Sequence, residues 1–152
     1  MNGRLEDLRT ASTQRLAAAS QVLGKQGGKL QVSCYLVHVA LECILKPRIL
    51  SKARTNTIDA LRRVMPAADF DALFFGRSGH ALNGLAFHAA LDRLLVRPGK
   101  RELLRGSGWT RMCGQDRPYS LRYGAESGLS RTEAEAELAL GQAIHAEVEA
   151  TL

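Results

Sequence analysis

The stretch that decides the fold is residues 30–50, LQVSCYLVHVALECILKPRIL. It is the longest apolar run in the chain. Leu30, Cys34, Val37, Leu41, Ile44 and Leu45 recur at spacings of three and four, the period of a helix face. Val32, Tyr35, Leu36, Val39 and Cys43 fill most of the remaining circumference. A helix that is apolar on nearly all sides sits at the centre of a fold, with the rest of the chain packed on it. His38, Glu42 and Lys46 interrupt the run at i, i+4 and i+8, so they form one narrow polar stripe. The stripe has two readings. One is a buried network in which Glu42 pairs with Lys46 and with helix-end groups. The other is the polar lining of a dimer cleft or nucleotide pocket. Pro47 removes an amide donor and clashes with the carbonyl of Cys43, so a kink or an end just beyond it is expected. These polar residues, with Pro47, are too many for a membrane span of ~20 apolar residues.

Working outward, residues 4–23 repeat the helical period through Leu5, Leu8, Ser12, Leu16, Ala19 and Leu23. Gly24, Gly27 and Gly28 end that helix, and so short a link joins antiparallel neighbours. On the other side, residues 51–56 read as a loop, and 57–65 and 67–75 as short helices. A helix is expected over 81–96, although Asp92 falls on its apolar face, and Pro98-Gly99 ends it. Residues 101–105 suit a single turn. Residues 106–128 read as an ordered loop pinned by aromatics. The last helix opens on Ser130-Arg-Thr-Glu133, a capping box in which the Ser hydroxyl takes the Glu133 amide and the Glu side chain returns to the Ser130 amide. Glu133, Glu135 and Glu137 suit the positive end of its dipole. Ala134, Leu138, Gly141, His145, Val148 and Leu152 mark its apolar face, widened by Ile144. No segment sustains a period of two, so no sheet is expected. The predicted fold is all-α: one domain over residues 1–152, an up-and-down bundle of three long helices plus a fourth, with short helical connectors.

The bulk composition agrees. The chain has 152 residues, enough for one core, and 45% hydrophobic residues, which argues against disorder. Only 5% are aromatic, so the core is aliphatic and alanine-rich, a composition that favours helices. The net charge of +6 suits an acidic partner such as nucleic acid, although no run of Lys or Arg concentrates it. Cys34, Cys43 and Cys113 make an odd set with no C-x-x-C, which indicates neither a disulfide framework nor a zinc knuckle. Reduced thiols and a charged N-terminal segment without an apolar core point to a cytoplasmic protein.

Three segments, in order, resemble the HEPN (higher eukaryotes and prokaryotes nucleotide-binding) domain family. The run from Tyr35 through Glu42 to Lys46 resembles its second-helix signature, an aromatic, an apolar run, then Glu and Leu-Lys. Gly79-His80-Ala81-Leu82 resembles the His-Asp-Leu segment that opens its third helix, with Ala81 in place of Asp. Arg122-Tyr123 and then Ser130-x-x-Glu133-Ala134 resemble the entry to its final helix. The resemblance covers most of the chain and implies a bundle of four to five helices and frequent homodimers. In this family many members are RNases of toxin–antitoxin, CRISPR or phage-defence systems. Others are non-catalytic binding modules, often encoded beside a small nucleotidyltransferase partner. The RNase branch uses Arg, four to six intervening residues, then His. None of the four histidines here has Arg at that distance, so the family's catalytic motif is absent.

The remaining candidates follow from residue chemistry. Arg77 and His80 are close enough in sequence for a compact phosphate site, or His80 simply packs the helix end. His38, His80 and Arg77 are therefore the catalytic candidates, with Arg122 as a further partner. Residues 93–131 are the most basic part of the chain. Arg111, Arg117 and Arg122, interleaved with Trp109, Tyr119 and Tyr123, suit single-stranded nucleic acid through phosphate neutralisation and stacking. The competing reading is that the aromatics anchor a long loop. No metal-ligand spacing, phosphate loop or nucleophile elbow is present, so no metal or cofactor is expected. Three function classes remain: an atypical HEPN-like module that binds RNA or a partner protein, an RNase with a non-standard Arg/His site, and a plain interaction module.

Overall fold

The computed structural model describes residues 3–75, 80–124, 126 and 128–152. In chain order its helices are α1 (Leu5–Gly24), α2 (Leu30–Lys52), α3 (Ile58–Val64), α4 (Ala67–Phe74), α5 (Leu82–His88), α6 (Leu91–Leu94), α7 (Ser107–Met112), α8 (Tyr119–Arg122) and α9 (Arg131–Glu149). A 3-10 turn spans Arg101–Leu104. Among the described residues there is no strand, only an isolated bridge between Arg4 and Thr57. The protein is all-α. No helix among the described residues is long and apolar enough to cross a membrane.

The apolar run is α2, and it is central. Cys34, Val37, Ala40, Leu41, Ile44, Leu45 and Leu50 on it are completely buried. Helix α1 runs antiparallel beside it, and two buried serines fix the register. Ser12 Oγ donates to the Ala40 carbonyl at 2.8 Å, and Ser33 Oγ donates to the Ala19 carbonyl at 2.9 Å. Ser12 Oγ also lies 2.8 Å from Nδ1 of His145. Because its hydrogen is already given to Ala40, the hydroxyl accepts from His145, which ties α9 to the pair. Helix α9 comes close to α2 because residue 141 is glycine. A Cβ there would meet Val37 Cγ1 at 2.5 Å.

Pro47 neither ends α2 nor is exposed; the helix continues through it to Lys52. A proline inside a helix costs about 3 kcal/mol. Continuing the helix buries Ile49 and Leu50, each worth about 1.5–3 kcal/mol, which is enough to offset it.

Two expectations for the second half need correction. Residues 81–96 are not one helix: α5 and α6 are separated at Ala90, whose φ of 51° is left-handed. Such a residue costs about 1–2 kcal/mol. The break turns the chain so that Leu91 and Leu95 are buried while Asp92 is exposed. A straight helix would have put Asp92 inside. The bundle therefore has three long helices, α1, α2 and α9, and its fourth side is assembled from short pieces. Residues 106–128 are likewise not a plain loop but carry α7 and α8, anchored by buried Met112 and Leu121 as well as by half-buried Trp109.

The start of α9 follows its sequence signal. Ser130 Oγ accepts from the Glu133 amide at 3.1 Å. The Glu133 carboxylate turns back onto the Ser130 hydroxyl at 3.2 Å, where the capping-box pattern predicts the amide.

Candidate functional site

The polar stripe of α2 meets the segment that leads into α5. Glu42 is buried, and its two carboxylate oxygens lie 3.0 and 3.2 Å from Nδ1 of His80. His38, also buried, donates from Nε2 to the His80 carbonyl at 2.8 Å and stands 3.4 Å from the Glu42 carboxylate. Lys46 Nζ closes the group at 3.7 Å from Glu42. The stripe thus holds His80 twice, His38 by its backbone and Glu42 by its ring. The stripe is a paired network, and Glu42 also borders a cleft.

That network sets proton positions. A carbonyl only accepts, so the His38 proton that meets His80 is on Nε2. A carboxylate orients the His80 ring with its proton on Nδ1, which leaves the lone pair of the neutral ring on Nε2. Burial pushes the Glu42 carboxyl up. Hydrogen bonding and charge from His38, the Lys46 ammonium and the His80 hydrogen bond outweigh it, and the group is held below the usual carboxylate range. Glu42 is therefore an anion at neutral pH. Nδ1 of His38 is buried without a hydrogen-bond partner among the described residues.

The outer wall of the cleft comes from α8. Tyr35, Val39, Glu42, His80, Pro118, Tyr119 and Arg122 line a space of about 140 Å³. The Tyr119 ring stands edge-on to His80, centroids 5.9 Å apart. The peptide bond between Arg117 and Pro118 is cis. Arg122 is exposed, its guanidinium 5.8 Å from the Tyr123 ring, and Tyr123 is itself 74% exposed.

A second charge cluster holds this wall in place. Glu137 of α9 is completely buried and accepts from Arg111 Nε at 2.7 Å and from Arg117 Nη1 at 2.9 Å. The other end of the Arg117 guanidinium reaches Glu126 at 2.6 Å. Ser120 Oγ donates to the second Glu126 oxygen, and Gln31 of α2 donates to the Glu126 carbonyl at 3.0 Å. Burial pushes Glu137 up, but hydrogen bonds from Arg117, Cys34 and Arg111 with the Arg117 charge bring it below the usual range. The cluster joins α7, α8, α9 and the start of α2.

The sequence candidates are sorted by these contacts. Glu42, His80 and Arg122 line one cleft, and His38 and Lys46 pair with Glu42 behind it. Arg77 lies outside the described residues. Arg117 is buried between two carboxylates, and Arg111 is paired with Glu133 and Glu137, so their charges are used inside the protein and not on a nucleic-acid face. Trp109 is half-buried against the core, the loop-anchoring role. Arg122 and Tyr123 are the pair that remains exposed. The inward turn of Glu137 was missed, although a signal exists: Ala134, Glu137, Gly141, Ile144 and Val148 follow the helix period, and all are buried.

The thiols offer no nucleophile. Burial pushes all three up, Cys113 to about 11 and Cys34 further with help from Glu137, so they are protonated at neutral pH. Among the described residues no group of three His, Cys, Asp or Glu is placed to hold a metal ion. Comparison with family models, curated proteins and solved structures found no match to this chain.

Proposed function

We propose that this chain is a HEPN-like helical module that binds RNA at the cleft of His80, Tyr119 and Arg122. The observation that carries this reading is the convergence in one cleft of an imidazole oriented by a buried carboxylate with an exposed arginine beside an exposed tyrosine. The arginine neutralises a phosphate, and the tyrosine face stacks a base. Each of the three HEPN-like sequence segments contributes a residue to this cleft: Glu42 from the first, His80 from the second, Arg122 from the third. On the family resemblance the module forms a homodimer through its long helices and works in the cytoplasm in a toxin–antitoxin or phage-defence setting, with a small nucleotidyltransferase as the protein partner.

A second reading, metal-independent RNA cleavage, is favoured by the Glu42–His80 pair alone. With its proton fixed on Nδ1, the neutral ring takes the proton of a 2′-hydroxyl at Nε2. The 2′-oxygen bonds to the adjacent phosphorus, the bond to the 5′-oxygen breaks, the imidazolium returns its Nε2 proton to that leaving oxygen, and Arg122 steadies the phosphate charge. The products are a 2′,3′-cyclic phosphate and a 5′-hydroxyl end.

Incubation with total RNA, alongside binding measured over a salt series, tests both. Salt-dependent binding that weakens in Arg122→Ala supports the module, and cleavage lost in His80→Ala supports the enzyme. Neither binding nor cleavage by the wild-type chain overturns both.

A further inference from the structure

Arg122 lines a second cavity on its other side. This cavity has a volume of about 490 Å³, against 140 Å³ for the His80 cleft, and lies between the start of α2 and Leu121, Arg122, Gly124, Glu126 and Leu129. Ligand-sized sites begin at about 300 Å³, so the larger cavity accommodates a small molecule and the cleft only a fragment such as a phosphate group. Its walls are mixed. Leu30, Val32, Leu121 and Leu129 supply apolar surface, and Lys29 and Arg122 stand as exposed cations at its edge. Val32 is 41% exposed, unusual for an aliphatic residue on the central helix. The acidic member of the lining, Glu126, is ion-paired with Arg117, which it shares with Glu137. An apolar wall beside two cations suits a flat, weakly polar ring attached to an anion.

We infer that this cavity receives the base and ribose of a nucleotide whose phosphate lies at Arg122, next to the His80 cleft. The inference rests on the RNA reading of that cleft and adds to it a nucleotide-sized pocket that makes binding depend on a base as well as on phosphate. Arg122 belongs to both spaces, so a single strand crosses from one to the other there. Glu126 in its wall is held by Arg117, Ser120 and Gln31, so that part of the pocket is formed before any ligand arrives. Sequence preference is weak, because an apolar wall accepts any base face.

The test compares a short oligouridylate with an abasic oligomer of the same length and charge, both titrated against the full chain. Burying one base is worth about tenfold in affinity. The wild-type protein should therefore bind the base-bearing strand about tenfold more tightly. Val32→Met, a longer side chain with no ring face for a base to stack on, narrows the apolar wall and should reduce that difference to the share that stacking on Tyr123 supplies. Val32→Gln, which makes the wall polar, should reduce it as well. Circular dichroism melts of both variants establish that they fold. Arg122→Ala should weaken both strands. Equal binding of the two strands by the wild-type protein, or a preference undiminished in a folded Val32→Met, overturns the pocket and leaves the His80 cleft standing. Binding of neither strand overturns the pocket together with the RNA reading.

Discussion

Glu42 on α2 and Glu137 on α9 are both shielded from solvent, and both are held below the usual carboxylate range. Their partners separate them. Glu137 faces two guanidiniums, which stay charged at every working pH and are themselves directed inward. All that this group does is hold α7, α8 and α9 together. Glu42 faces two imidazoles and one ammonium, and one imidazole sits on the wall of a cleft. The Glu42 group therefore presents a hydrogen-bonded imidazole to a space that a ligand can enter. A buried carboxylate is structural when its partners are permanent and enclosed. It is available to a ligand when one of its partners is partly exposed, as His80 is.

The most damaging way to break this contrast is Glu137→Gln. It leaves the buried Arg117 facing a neutral amide, and removal of one partner from a buried pair costs about 3–5 kcal/mol. Urea denaturation should show a loss of that size, and a loss below about 1 kcal/mol would remove the distinction between the groups. Glu42→Gln should cost less, about 1–3 kcal/mol, because the amide oxygen still accepts a hydrogen bond from an imidazole, while RNA binding or cleavage falls with it. A fully active Glu42→Gln would show the cleft to be inert. Gly141→Ala measures the scaffold that carries both carboxylates. Its Cβ overlaps buried Val37, and overpacking costs about 1–3 kcal/mol without altering either charge group.

Acid titration sharpens the comparison in two steps. Burial lowers His145 below its ordinary value of 6.5, with Arg9 adding to this and Glu149 opposing it. The unfolded chain therefore binds a proton there that the folded chain refuses, and stability is lost as pH falls through that value. Glu42 and Glu137, lowered from 4.5, contribute stability that is complete above 4.5 and is lost as pH falls through their folded values. Thermal melts should show a shallow decline followed by a steep one. His145→Gln should remove the first and leave the second. The smallest stability effect belongs to Arg122→Ala, within about 0.5 kcal/mol for a surface position. Its effect is on RNA, where the slope of log affinity against log salt should fall by about one.

Much of this molecule is readable before folding is considered. The 3.6-residue period of residues 30–50 places α2 at the centre, and Ser130 with Glu133 marks the start of α9. The i, i+4, i+8 spacing of His38, Glu42 and Lys46 puts them on one line. What could not be read there is which distant group completes each buried charge. His80 reaches Glu42 across thirty-eight positions of sequence and Arg117 reaches Glu137 across twenty, distances over which a residue's spacing says nothing about its partner. For the same reason Arg111 and Arg117 read as a basic surface although their guanidiniums point inward.

The sequence by itself determined an all-α protein with one central helix, because apolar periodicity is a local property of the chain. Tertiary structure decided the rest. It broke 81–96 at Ala90 to keep Asp92 outside, and it turned Glu137 in and left Arg122 out. The reason is that a buried charge is tolerated only where folding delivers its counter-charge, and that delivery depends on the packing of the whole bundle.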